Sequence, residues 1–176
     1  MAEQVPTQEQ AQHLLAKVFG PNRKFRMIET RHGWVGRGIL TEEEQSQGMG
    51  LGLGNYVLNK HTGVITAHRS LPPQLIGEEF DQAIETGGQV QGSQVWPPQH
   101  RIHLQKAFED EATVHYQVTV IQLDQPDDPG TTQLVTINKE TLYFQPSGGP
   151  LSDATAWAEM LSRTTGSWPT EGAIER

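Results

Sequence analysis

Residues 55–85, NYVLNKHTGVITAHRSLPPQLIGEEFDQAIE, decide the fold class. Tyr56, Val57 and Leu58 favour a strand, and Val64 and Ile65 resume the apolar run after a short interruption. Asn59-Lys60-His61-Thr62-Gly63 has the chemistry of a hairpin turn, because Asn tolerates a left-handed backbone and Gly adopts one without steric penalty. Pro72-Pro73 stops the second strand, and Pro73 suits the first turn of a helix, where its missing N–H is not needed. Ile76, Phe80, Ala83 and Ile84 recur at helical spacing before Gly87. The stretch therefore reads strand, turn, strand, helix.

Upstream, Thr7 and Gln10 form a capping-box pattern ahead of the stripe Ala11, Leu14, Leu15 and Val18, which Gly20-Pro21 ends. Residues 24–29 and 32–40 read as two strands. Residues 41–54 read as a loop. Its alternating glycines, Gly48 to Gly54, lack the spacing and the strand-to-helix setting of a dinucleotide fingerprint, and no P-loop lysine follows.

Downstream, residues 89–98 have the glycine, glutamine and proline content of a linker between domains at 1–88 and 99–176. The second half follows the plan of the first. Residues 103–108 and 112–123 read as strands, residues 134–137 and 142–144 as a hairpin around Asn138-Lys139-Glu140-Thr141, and a helix starts at Ser152 or Asp153. Residues 167–176 read as a loose tail held by Trp168. Asn59-Lys60-x-Thr62 and Asn138-Lys139-x-Thr141 lie 79 residues apart, as do Thr86-Gly87 and Thr165-Gly166. The expected fold is α+β. Antiparallel sheets carry helices on one face, in two tandem ββββα repeats preceded by an N-terminal helix.

The order strand, Asn-Lys-x-Thr-Gly turn, short strand, leucine-proline step and acidic amphipathic helix resembles the immunity protein 35 family over residues 25–85. That resemblance implies a binding protein that neutralises a secreted bacterial toxin by occluding its active site. It brings no catalytic residues.

Composition narrows the partners. The chain has 176 residues, a formal net charge of −8 and no cysteine. Phosphate binding needs a basic face, so nucleic acid is not expected. Disulfides and thiolate metal sites are ruled out. No apolar run of membrane or signal-peptide length occurs, so a cytoplasmic protein without a membrane partner is expected. The seven histidines form no HExxH pair, and no GxSxG elbow occurs. Neither cofactor nor metal is expected, and no enzyme activity.

The acidity is uneven. Residues 89–176 hold 5 Lys/Arg against 11 Asp/Glu, and residues 1–88 hold 8 against 10. Acidic runs on expected loops make the candidate surface for a toxin with a basic face: Glu42, Glu43 and Glu44; Glu109, Asp110 and Glu111; and Asp124, Asp127 and Asp128. A chaperone-like adaptor of a secretion system would use the same acidity. A small hydrolase or transferase would need a constellation that the motifs do not assemble.

Overall fold

The computed structural model describes residues 4–48, 53–125, 127 and 129–176. Its described residues form four helices and two antiparallel five-stranded sheets, an α+β fold. The chain divides into two compact units, Met1–Pro97 and Pro98–Arg176.

In the first unit, α1 (Gln8–Phe19) starts at a complete capping box between Thr7 and Gln10. Strands β1 (Lys24–Glu29), β2 (Gly33–Ile39), β3 (Asn55–Asn59) and β4 (Ile65–His68) follow one another as neighbours. Helix α3 (Pro73–Thr86) has proline in its first turn and ends at Gly87, whose φ of 65° is the left-handed cap that glycine adopts freely. Two segments differ from expectation. The 41–54 loop contains a short helix, α2 (Glu42–Ser46), because Thr41 and Glu44 cap it reciprocally. The glycine alternation at 49–52 lies outside the described residues. The passage expected as a linker contains β5 (Ser93–Trp96), which pairs with β4 and closes the first sheet.

Both faces of this sheet are covered, not one. Trp34 and Leu58 meet Ala11 and Leu15 of α1 on one side. Val35 and Val57 meet Ile76 and Phe80 of α3 on the other. Successive strand residues point to opposite faces, so the consecutive pairs Trp34-Val35 and Val57-Leu58 supply an apolar layer to each.

The second unit contains β6 (His100–Glu109), β7 (Thr113–Gln122), β8 (Thr131–Asn138), β9 (Phe144–Gln145), α4 (Pro150–Thr165) and β10 (Glu171–Glu175). The expected loose tail is β10, paired along its length with β6. Its alternation explains this, since Ile174 joins the core while Glu171 and Glu175 stay exposed. Tyr116 fixes the approach by donating its hydroxyl to the Pro169 carbonyl at 2.8 Å.

The hairpin turns of the two halves match bond for bond. Asn59 Oδ1 accepts from the amides of His61 and Thr62, and Asn138 Oδ1 accepts from those of Glu140 and Thr141. Lys60 Nζ reaches Glu29 and the Thr30 carbonyl, and Lys139 Nζ reaches Glu109 and the Asp110 carbonyl. The likeness stops at the helices. Paired through these turns, Trp34 and Leu58 correspond to Val114 and Ile137, and Val35 and Val57 to His115 and Thr136. Helix α4 packs over the face of Val114 and Ile137, the one that corresponds to the α1 side of the first sheet. The side that α3 covers in the first sheet is largely polar in the second and carries no helix among the described residues. The fifth strand also joins opposite edges, β4 in one sheet and β6 in the other. The halves share a four-strand meander and its turns, but not the placement of the helix.

Candidate functional site

The uncovered face of the second sheet is built by alternation. Val114, Tyr116 and Val118 of β7 are buried against α4, so His115, Gln117 and Thr119 point the other way. The strand register carries this across the sheet. One row runs Phe108, His115, Thr136, Gln145, and the next holds Gln105, Gln117 and Leu134. The face is largely polar, with Ile121 half-buried and three large apolar side chains well exposed. Phe108 is 56% exposed, Leu134 54% and Tyr143 64%. Tyr143 lies opposite Asn138 and on the side away from Phe144, which packs into the core.

These side chains are held in place. His115 bridges Thr113 Oγ1 at 3.0 Å and Thr136 Oγ1 at 2.9 Å, and its ring lies 5.5 Å from that of Phe108. The Tyr143 hydroxyl accepts from Gln145 Nε2 at 2.7 Å. Fixed aromatic rings with a polar surround lose little freedom on contact, which suits them to anchor a partner.

Acidic segments border both ends of this face. At one end lie the β6–β7 and β8–β9 turns, and at the other the loop joining β7 to β8. The structure divides the candidate acids into committed and free groups. Glu109 takes both Lys106, at 2.6 Å, and Lys139, at 2.7 Å, and these hydrogen bonds hold its carboxyl below the usual range. Asp110 closes its own turn by accepting from the amides of Thr113 and Ala112, which lower it likewise. Glu44 caps α2 through the Thr41 amide and pairs with Arg23 at 3.0 Å, and it too is lowered. Glu42, Glu43, Glu111, Asp124 and Asp127 are exposed and make no ion pair among the described residues. Asp128 lies outside the described residues. The Glu42 to Glu44 run belongs to the first unit and the other acids to the second.

Reading acidic runs alone misses Phe108, Leu134, Tyr143 and His115. The signal for them was available in the alternation of β7. Its polar half faces a side for which the second half of the chain supplies no second helix.

Among the described residues, no three His, Asp or Glu side chains gather in a way that could hold a metal ion. No helix there is long and apolar enough to cross a membrane. No family model, curated protein or solved structure matches the chain.

Proposed function

We propose that this chain is a binding protein of the toxin-immunity kind, which neutralises a bacterial toxin by covering its active site. The observation that carries this reading is the uncovered face of the second sheet. Phe108, Leu134 and Tyr143 stand on it, and the unit around it has 5 Lys/Arg against 11 Asp/Glu. Exposed aromatic anchors supply affinity, and a surplus of one charge speeds encounter with a partner of the other sign. Four of the five cations of this unit are engaged internally: Arg101 with Glu175, Lys106 and Lys139 with Glu109, and Arg163 with Glu159. The exposed Glu111, Glu140, Asp124 and Asp127 keep their charge for a partner.

The resemblance of residues 25–85 to immunity proteins supplies the functional class, and the second sheet supplies the surface. The toxin is accordingly a protein with a basic surface, and the site of action is the cytoplasm that the toxin enters. Coexpression tests this. The product of an adjacent gene should arrest growth of a bacterial host when made alone and should not do so when made with this chain. A host that stops growing equally in both cases would remove the reading.

A further inference from the structure

The backbone at the outer edge of β8 is more specific about its occupant than the side chains beside it. The Lys139 amide donates to the Ala112 carbonyl, which fixes the phase of the β7–β8 ladder. By that phase Asn138, Thr136, Leu134 and Thr132 turn their N–H and C=O groups away from β7. Strand β9 takes up Asn138 and Thr136, through Tyr143 and Gln145. It then ends at Gln145, where the chain turns at Pro146 and leaves for Gly149 and α4 instead of bringing residue 147 opposite Leu134. Leu134 and Thr132 have no backbone partner on that side among the described residues, and residues 131–134 are exposed.

Other free edges of the two sheets carry the devices that discourage pairing. Strand β1 presents Lys24, Arg26 and Glu29, and β10 presents Glu171 and Glu175. Strand β5 is four residues long, faces a bulge between Ile65 and Thr66, and runs into Pro97. The open stretch of β8, Thr131-Thr132-Gln133-Leu134, has no charge, proline or glycine. In the first sheet the corresponding edge of β3 is paired over four residues by β4, and β4 in turn by β5.

We propose that a partner adds an extended strand to the outer edge of β8, pairing with the backbone of Thr132 and Leu134 in line with β9. The gap from residue 135 to 131 is about 13 Å long, at roughly 3.3 Å per residue. It calls for a short segment with an apolar side chain toward Leu134 and basic residues toward Asp124 and Asp127. A second copy of this chain is disfavoured as the occupant, because each copy carries a net charge of −8. The inference rests on the toxin-binding reading only for the identity of the partner; the edge itself is tested without a toxin.

The probe is a short blocked peptide alternating lysine and valine, added to the full chain, with backbone amide exchange followed by NMR. Exchange at Thr132 and Leu134 should slow at least about tenfold on saturation, since hydrogen-bonded amides are protected. A glutamate–valine peptide should give no such change. Thr132→Pro removes an outward N–H without touching the β7 ladder and should weaken binding about tenfold or more. Thr132→Val keeps that N–H while losing the 2.8 Å contact to Thr119 Oγ1, and should bind as the parent does. Should Thr132→Pro not fold, a peptide N-methylated at alternate residues makes the same test from the other side and should not bind. No binding, equal binding of both peptides, binding that leaves Thr132 and Leu134 exchange unchanged, or binding that survives N-methylation would each overturn the inference. Any of these leaves the coexpression test above still to be decided by its own result.

Discussion

Replacing Asp81 with alanine should destabilise the first unit by about 3 kcal/mol. Its carboxylate lies on α3 and accepts three hydrogen bonds from the β1–β2 turn: the Thr30 hydroxyl at 3.0 Å, the Arg31 amide at 2.9 Å and the His32 amide at 2.9 Å. Hydrogen bonds to charged groups contribute roughly 1.5–3 kcal/mol when well shielded. Arg31 is exposed and Thr30 retains a bond to the Gly33 carbonyl at 3.2 Å, so about 1 kcal/mol is assigned to each. The His32 amide is partly buried and has no other acceptor among the described residues, so its loss costs about 1–1.5 kcal/mol. Urea unfolding monitored by tryptophan fluorescence measures this, because Trp34 sits in that unit's core. The pH dependence gives a second check. Burial pushes the Asp81 carboxyl up, but the amides of His32 and Arg31 and the Thr30 hydroxyl together outweigh it and hold it below its ordinary value of 3.8. Its contribution is therefore fully present above pH 3.8 and lost as pH falls through the folded-state value. The gap between parent and variant should be constant near neutrality and close in acid. A loss below 1 kcal/mol at neutral pH, or a gap that widens in acid, would refute the reasoning.

Leu142 has φ of 60°, the value that Gly63 takes at 66° in the matching turn. Leu142→Gly should relieve roughly 1–2 kcal/mol of left-handed strain against about 0.5–1 kcal/mol of added unfolded-state entropy, and so raise the unfolding midpoint slightly. A lowered midpoint would contradict this. Asn55 is fully buried, and its Nδ2 joins the carbonyls of Arg69 at 3.0 Å and Leu71 at 2.9 Å ahead of α3. Asn55→Ala should cost about 2–4 kcal/mol in a denaturation curve by leaving both carbonyls unpaired, and a cost under 1 kcal/mol would show that the corner does not depend on them. Replacing Asp124, Asp127 and Asp128 together with asparagine should slow association with a toxin and flatten its salt dependence in stopped-flow measurements, with the fold unchanged. An unchanged on-rate at low salt would take this loop out of the encounter surface.

Local chemistry made much of the fold legible. The Thr7 capping box, the Asn59 and Asn138 turns and the helix ends at Gly87 and Gly166 are set by side chains within a few residues, and each stands where the sequence places it. What was not legible depends on distant partners. Residues 93–96 and 171–175 are short and mixed in character, and only the free edges of β4 and β6 make strands of them. The side on which α4 packs turns on whether positions such as His115 and Thr136 are polar, which matters only once β7 and β8 are in register. The candidate site divides in the same way. Acidic runs are visible in the sequence, but the commitment of Glu109 to Lys106 and Lys139 is not. The exposure of Phe108 and Tyr143 follows from the missing helix rather than from their neighbours in sequence.

The central claim is neutralisation through the uncovered face of the second sheet, and titrating a toxin's activity with the purified chain tests it most directly. Activity of the growth-arresting product of the adjacent gene should fall in proportion to added chain and vanish near one equivalent. A Phe108→Asp/Tyr143→Asp variant, altered only at two exposed positions, should fold normally and leave most of that activity intact. Undiminished activity in the presence of excess parent chain, or full inhibition by the double variant, would contradict the account.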